Sequence, residues 1–234
     1  MTNPSSPIDS PRCLRIGLDW RWHRPKPRAG RPRGEPREED RPLRCDAAGR
    51  SVSAPADQLP FAEGEFDVVD CDSVFAYVRN DEGLANELAR ITAPGGRVRL
   101  TVPAKGPLAV LDAFNMHRYL VDISKRGLRP FETADIGWRR HYSEGDLALL
   151  FGPRHFTLAT VRRSGLGASE TMRLSGFVLF RWLRPSRDGY MRLSRAAERL
   201  RQAESQVEWR HGFWLEVELR KHESAARTVS GPRP

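Results

Sequence analysis

The chain has 234 residues, 39% hydrophobic and 29% charged, and its 39 Lys and Arg against 30 Asp and Glu give a net charge of +9. That length is enough for one well-cored α/β domain or two small ones, while no apolar run approaches the roughly 18–20 residues of a membrane span. The first twelve residues hold no apolar stretch of the kind that opens a secretory signal, so a cytoplasmic location is expected. Three widely spaced cysteines, Cys13, Cys45 and Cys71, fit neither a disulfide framework nor a CxxC metal site, and no metal is expected.

The charge is unevenly spread. Residues 1–50 hold twelve Arg and Lys against seven Asp and Glu, so five of the nine net positive charges lie in the first fifth of the chain. No recognition-helix or RNP-like pattern accompanies them, and nucleic acid is not expected as a partner. A strand-like run, Cys13-Leu14-Arg15-Ile16-Gly17-Leu18, opens this part. From His23 to Pro42 no aliphatic or aromatic side chain except Ala29 occurs, and Pro and Gly recur every few residues. Such a segment adds little to a core and reads as an irregular, disordered loop.

The next elements are clearer. Phe66-Asp67-Val68-Val69 follows the turn signal Glu63-Gly64-Glu65 and reads as a buried strand. Asn80 or Asp81 caps a helix with Leu84, Leu88 and Ile91 on its inner face. Pro94-Gly95-Gly96 ends it, and Arg97–Val102 alternates with Val98, Leu100 and Val102 on one side. Strand, helix, turn and strand make a βαβ unit, which implies a parallel sheet. Further on, Leu108–Ile123 has a helical pattern. Ser143 caps a helix with Asp146 at its N3 position, and Phe156–Val161 alternates as a strand. Residues 189–204 read as an amphipathic helix with Leu193, Ala196, Leu200 and Ala203 inward. Phe213, Leu215, Val217 and Leu219 mark a last strand, and the tail from residue 223 reads as disordered.

The ordered series Ala56-Asp57-Gln58-Leu59-Pro60-Phe61, then Phe66-Asp67-Val68-Val69, then Pro94-Gly95-Gly96 before a strand, resembles the middle of class I S-adenosylmethionine-dependent methyltransferases, closest to the type 11 subgroup. The resemblance covers roughly residues 50–105. It implies an α/β, doubly wound Rossmann-like sheet, mostly parallel with an antiparallel C-terminal strand, spanning residues 51–222. Residues 1–50 then form a degenerate N-terminal part of the same domain. The implied cofactor is S-adenosylmethionine. Ligands of such sheets sit beyond the carboxyl ends of the strands, so the resemblance puts Asp57 on the adenine amino group and the Gln58 backbone N–H on a ring nitrogen. Asp72 and Ser73 then lie near the methionine half.

In this family the first strand ends in an acid and a glycine-rich turn that opens a helix. Here Gly17 falls on the first glycine, Arg15 stands where an acid is usual, and the following helix gives way to the Arg/Pro/Gly stretch. The acid usual at the end of the second strand falls on Asp46 or Asp19. Three readings account for this: a non-catalytic relative, an out-of-frame stretch of a GC-rich gene, or a remodelled motif that still works.

For the acceptor, His117, Asp135, His141 and Tyr142 are the polar candidates, with His141 as general base beside Tyr142. The resemblance leads to methyl transfer onto a small-molecule, glycan-like or lipid-linked acceptor, the alternative being a catalytically inactive binding protein. Phe177–Arg184 and the arginine-rich helix after it also fit a peripheral membrane contact.

Overall fold

Val98, Leu100 and Val102 all face the core, as the alternation requires, and the sheet they belong to organises the molecule. The computed structural model describes residues 11–18, 42–47, 49–124 and 139–223. Its strands are β1 (Cys13–Leu18), β2 (Leu43–Ala47), β3 (Arg50–Ala54), β4 (Phe66–Asp72), β5 (Thr92–Pro103), β6 (Phe156–Ser164) and β7 (Trp214–Lys221). They form one seven-stranded sheet in the order β3-β2-β1-β4-β5-β7-β6. β1, β4 and β5 are mutually parallel neighbours, and β7 runs antiparallel to β5, as expected of the last strand. β2 is also reversed, against both β1 and β3. The expected irregular loop over residues 23–42, apart from Pro42, the tail after 223 and the candidates Asp19 and Asp135 lie outside the described residues.

The helices on the apolar face are α1 (Asp81–Ile91) and α3 (Glu144–Phe151). Leu84, Leu88 and Ile91 of α1 and Leu147 and Phe151 of α3 join Leu14, Ile16, Val69, Leu100 and Val217 in one buried cluster. Asn80 caps α1, accepting the Gly83 N–H at 2.8 Å. Ser143 and Asp146 form the expected reciprocal box: the Ser143 N–H donates to Asp146 at 2.6 Å, and the Asp146 N–H donates to the Ser143 hydroxyl at 3.2 Å.

The opposite face of the sheet is polar. One cross-strand row reads Asp46, Arg15, Asp70, Arg99, Glu218 from β2 to β7, with charges alternating at every step. Arg99 lies 3.9 Å from Asp70 and 3.0 Å from Glu218. Opposite charges facing across strands stabilise the pairing by about 0.2–1 kcal/mol each. Arg15, which breaks the family's acidic pattern, is therefore a member of this ladder.

A second group of helices comprises α2 (Ala113–Ser124), α4 (Ala168–Phe177) and α5 (Arg187–Glu204). Phe114 and Phe177 form its core, His117 stacks on Phe177 at 4.4 Å, and Leu174 and Tyr190 pack around them. The helical pattern expected over 108–123 divides at Asp112, because its Oδ1 accepts the N–H groups of Phe114 and Asn115 and caps α2. In α5, Leu193 and Leu200 are half-buried as expected, but Ala196 and Ala203 are exposed. Ala197 and Glu204 are buried in their place. Glu204 faces inward because its carboxylate accepts the N–H groups of Leu166, Ala168 and Ser169 at 3.2, 2.8 and 3.0 Å. It caps α4 from outside, complementing the positive end of that helix.

Arg139 joins the two groups. Its guanidinium is buried, 2.7 Å from Asp112 and 3.4 Å from Glu170, and lies over the rings of Phe114, Phe213 and Trp214. Burial opposes its charge, but Asp112 and Glu170 outweigh that and hold its pKa above the ordinary arginine range. Burial alone would raise Asp112, yet Arg139 and His141 keep it below the usual carboxylate range. Replacing one partner strands the others without compensation, so Arg139→Met should lower unfolding free energy by about 3–5 kcal/mol in urea titration. Adding Asp112→Asn and Glu170→Gln should recover much of that loss.

The α3 cap gives a second prediction. The hydroxyl and N–H of Ser143, then Lys105, hold Asp146 down to about 2. A carboxylate lowered by folding stabilises above its unfolded value near about 4 and loses that contribution as pH falls toward the folded value. The stability gap between the wild type and Asp146→Asn should therefore be full at neutral pH and close between roughly pH 4 and 2. Ser143→Ala should cost about 1 kcal/mol.

Candidate functional site

The carboxyl ends of parallel strands collect residues from distant parts of the chain at one rim. Leu18, Leu43 and Ala54 form a cross-strand row there. Because β3 runs in the direction of β1, the turn after Ala54 brings Asp57 and Gln58 to this rim, both exposed. Cys71 pairs with Ile16, so Asp72 and Ser73 emerge from β4 beside Gly17. Five of the expected cofactor residues, Gly17, Asp57, Gln58, Asp72 and Ser73, thus share one end of the sheet.

Asp46 does not join them. The reversal of β2 points its end away from the rim, and Asp46 pairs with Arg15 in mid-sheet, about 10 Å down at three residues of strand rise. It is bound to Arg44 at 3.0 Å. The Ser51 hydroxyl, then Arg44, lowers its pKa. The Gln58 N–H is also engaged, donating to the Pro55 carbonyl at 3.3 Å within the turn.

Two features mark the β4 end of the rim. Ser73 has φ of 58°, a left-handed conformation that side chains other than glycine, asparagine and aspartate seldom adopt and that tends to occur at functional sites. It is held by its N–H to the Thr101 carbonyl at 2.7 Å and its hydroxyl to Asp72 at 3.0 Å. Arg201 of α5 approaches Asp72 at 3.6 Å while lying over the Trp214 ring. Sequence reading missed Arg201 because its partner is remote along the chain and its local setting is that of one arginine among many on an amphipathic helix. Over β1 there is room among the described residues: a Cβ built on Gly17 meets none of them within 4 Å.

His141 and Tyr142 reach the same end of the sheet after β5. The Tyr142 N–H donates to the Pro103 carbonyl, and the Lys105 N–H donates to the Tyr142 carbonyl, at 2.9 and 2.8 Å. His141 Nε2 lies 3.2 Å from Asp112 Oδ2, so a buried carboxylate orients the imidazole. Tyr142 is anchored differently. Its hydroxyl is 3.2 Å from the Phe75 carbonyl and 3.1 Å from Asp81, and burial, then Asp81, raises its pKa. That phenol acts as a pin between β4's following loop and α1. Both residues border a shallow cleft of about 450 Å³ with Lys105, Arg140 and Asp146. His117, by contrast, is buried within the helical group.

Residues 36–100, a little over a quarter of the chain, match the methyltransferase domain family. A protein of Mycobacterium sp. (strain JLS) described as an uncharacterized methyltransferase is 40% identical over 62 residues, 26% of this chain and 25% of that protein. The match thus spans about a quarter of that relative's length. Among solved structures, loganic acid methyltransferase with SAH aligns with a TM-score of 0.44 at 12% identity, over 74% of this chain and 66% of that one. S-adenosylmethionine-dependent methyltransferases from Methanosarcina mazei align at 0.40 and 16%, over 72% and 65%. The matched residues 36–100 carry β2 to β4, the rim turn at Asp57 and most of β5, so the similarity to the methyltransferase domain family falls on the strands and turn that build this rim.

Proposed function

We propose that the protein is an S-adenosylmethionine-dependent methyltransferase whose cofactor lies along the carboxyl rim of β1, β3 and β4. The observation that carries this reading is the convergence of Gly17, Asp57, Asp72 and Ser73 at that rim, within and beside the family match. The residues suit the cofactor's chemistry. Asp57 is an exposed acceptor for an adenine amino group. The opposite charges of Asp72 and Arg201, side by side, complement the ammonium and carboxylate of an amino-acid end. The open space above Gly17 admits a ligand close to the backbone. When bound, the cofactor supplies an electrophilic methyl group on a sulfonium.

The protein's share of such a reaction is mainly positioning, since displacement at a sulfonium methyl needs a base only for a weak nucleophile. His141, oriented by Asp112, is the proposed base, and Tyr142 fixes the segment that carries it. A small-molecule acceptor is the first expectation, with glycan-like and lipid-linked acceptors the further ones. A second reading, a methyltransferase-like protein that binds without catalysis, is favoured by one observation: Asp46 sits in mid-sheet, so among the described residues no acid at the end of β2 reaches the rim for a ribose.

Calorimetric titration separates the two readings from the absence of any site. The wild type should bind both S-adenosylmethionine and S-adenosylhomocysteine. Asp57→Ala and Asp72→Asn should each weaken binding by roughly 1–3 kcal/mol. Gly17→Val should weaken it while leaving thermal stability unchanged, because the added side chain meets open space. A wild type that gives no heat with either ligand at millimolar concentration overturns the cofactor site. Binding without methyl transfer to any acceptor favours the second reading.

A further inference from the structure

Among the described residues, many arginines are partnered. Arg12, Arg44, Arg90, Arg99, Arg139, Arg140, Arg162, Arg173 and Arg201 each lie within 4.0 Å of a carboxylate. α5 and the turn before it differ. Arg184, Arg187, Arg192, Arg195 and Arg199 are all exposed, and among the described residues no hydrogen bond or ion pair engages their side chains. Arg192, Arg195 and Arg199 follow one another at i, i+3 and i+7, so they share the solvent side of the helix. The acids nearby do not cancel them. Glu198 is taken by Arg173 and Arg201, which leaves Asp188 as the one exposed acid of α5.

Apolar side chains accompany this charge. Leu183 is 70% exposed, Met191 43% and Leu179 41%. Met191 belongs to the same solvent side of α5 as the arginine stripe, by helical spacing. Leu183 and Leu179 belong to the π-helical turn Val178–Leu183 that continues α4. That turn is locked onto the first turn of α5: a Cβ at Gly189 would sit 2.5 Å from the Phe180 ring, and the Ser186 N–H donates to the Phe180 carbonyl at 3.1 Å. The apolar corner is thus fixed beside the basic stripe.

We infer that this surface, the solvent side of α5 with the corner at Leu183, docks on an anionic lipid bilayer. The charge matches anionic headgroups, and guanidinium groups on long stems hold that level while leucine and methionine tips enter the acyl boundary. Contact is peripheral, since among the described residues no helix is long and apolar enough to cross a membrane. A purely phosphate-binding surface, as for nucleic acid, accounts for the arginines but gives Leu183 no role.

The test is co-flotation of the full chain with vesicles of phosphatidylcholine alone or with added phosphatidylserine. Binding is expected only to the anionic vesicles, and it should fall as salt rises. An arginine near such a surface contributes about fivefold to partitioning, so the combined Arg192→Glu, Arg195→Glu and Arg199→Glu variant should lose at least about a hundredfold. Leu183→Ser, at a residue 70% exposed, should weaken binding several-fold with an unchanged circular dichroism spectrum. It decides the matter should the triple variant fail to fold. Absence of binding to anionic vesicles overturns the proposal, as does binding indifferent to Leu183 and to the three arginines. Tighter binding of a single-stranded oligonucleotide that depends on the arginines and ignores Leu183 also overturns it, in favour of a nucleic-acid surface.

Discussion

A single enclosed guanidinium holds the sheet and the helical group in one arrangement. Arg139 has its charge met by Asp112 at the start of α2 and Glu170 in α4, and its faces covered by Phe114, Phe213 and Trp214. Three segments far apart in sequence thus meet at one cation. Desolvating an ion is costly, and only matched partners offset that cost, so the helical group cannot shift on the sheet without exposing uncompensated charge. Asp112 divides its two oxygens between jobs. One caps α2, and the other faces Arg139 and His141. The imidazole at the rim therefore inherits its position from the same cluster that fixes the helices.

The parts legible in sequence are those governed by local periodicity. Val98, Leu100 and Val102, the α1 stripe of Leu84, Leu88 and Ile91, and the Ser143–Asp146 box follow from spacing alone, and each sits as expected. The illegible parts depend on partners remote in the chain. Glu204 reads as a polar residue near the end of an exposed helix, yet it is buried because the start of α4 needs acceptors. Ala196 and Ala203 fit the inward stripe of the same helix by spacing, yet lie outward because the helix turns Glu204 and Ala197 inward. Arg201 carries no local sign of its contact with Asp72.

The reversal of β2 bears most directly on the site. A parallel β2 would deliver its last residues to the rim. The antiparallel hairpin with β3 delivers Leu43 there instead and carries Asp46 into the charged row. The same pairing accounts for Arg15, which balances Asp46 and Asp70 on the polar face. Two departures from the family pattern thus have one structural cause. What remains at the rim is an acid beyond β3, an acid and a strained serine beyond β4, and open space over β1.

The strand order has a consequence for how the chain is made. β7, the last of the described strands in chain order, lies between β5 and β6. Until the ribosome releases it, β5 and β6 each present an unpaired edge, and such edges readily recruit other strands. Trp214 at the start of β7 also closes over Arg139, so the buried cation stays incompletely covered until the same moment. Native packing is therefore withheld until β7 is available, and any shortened product ending before β7 leaves both defects open together.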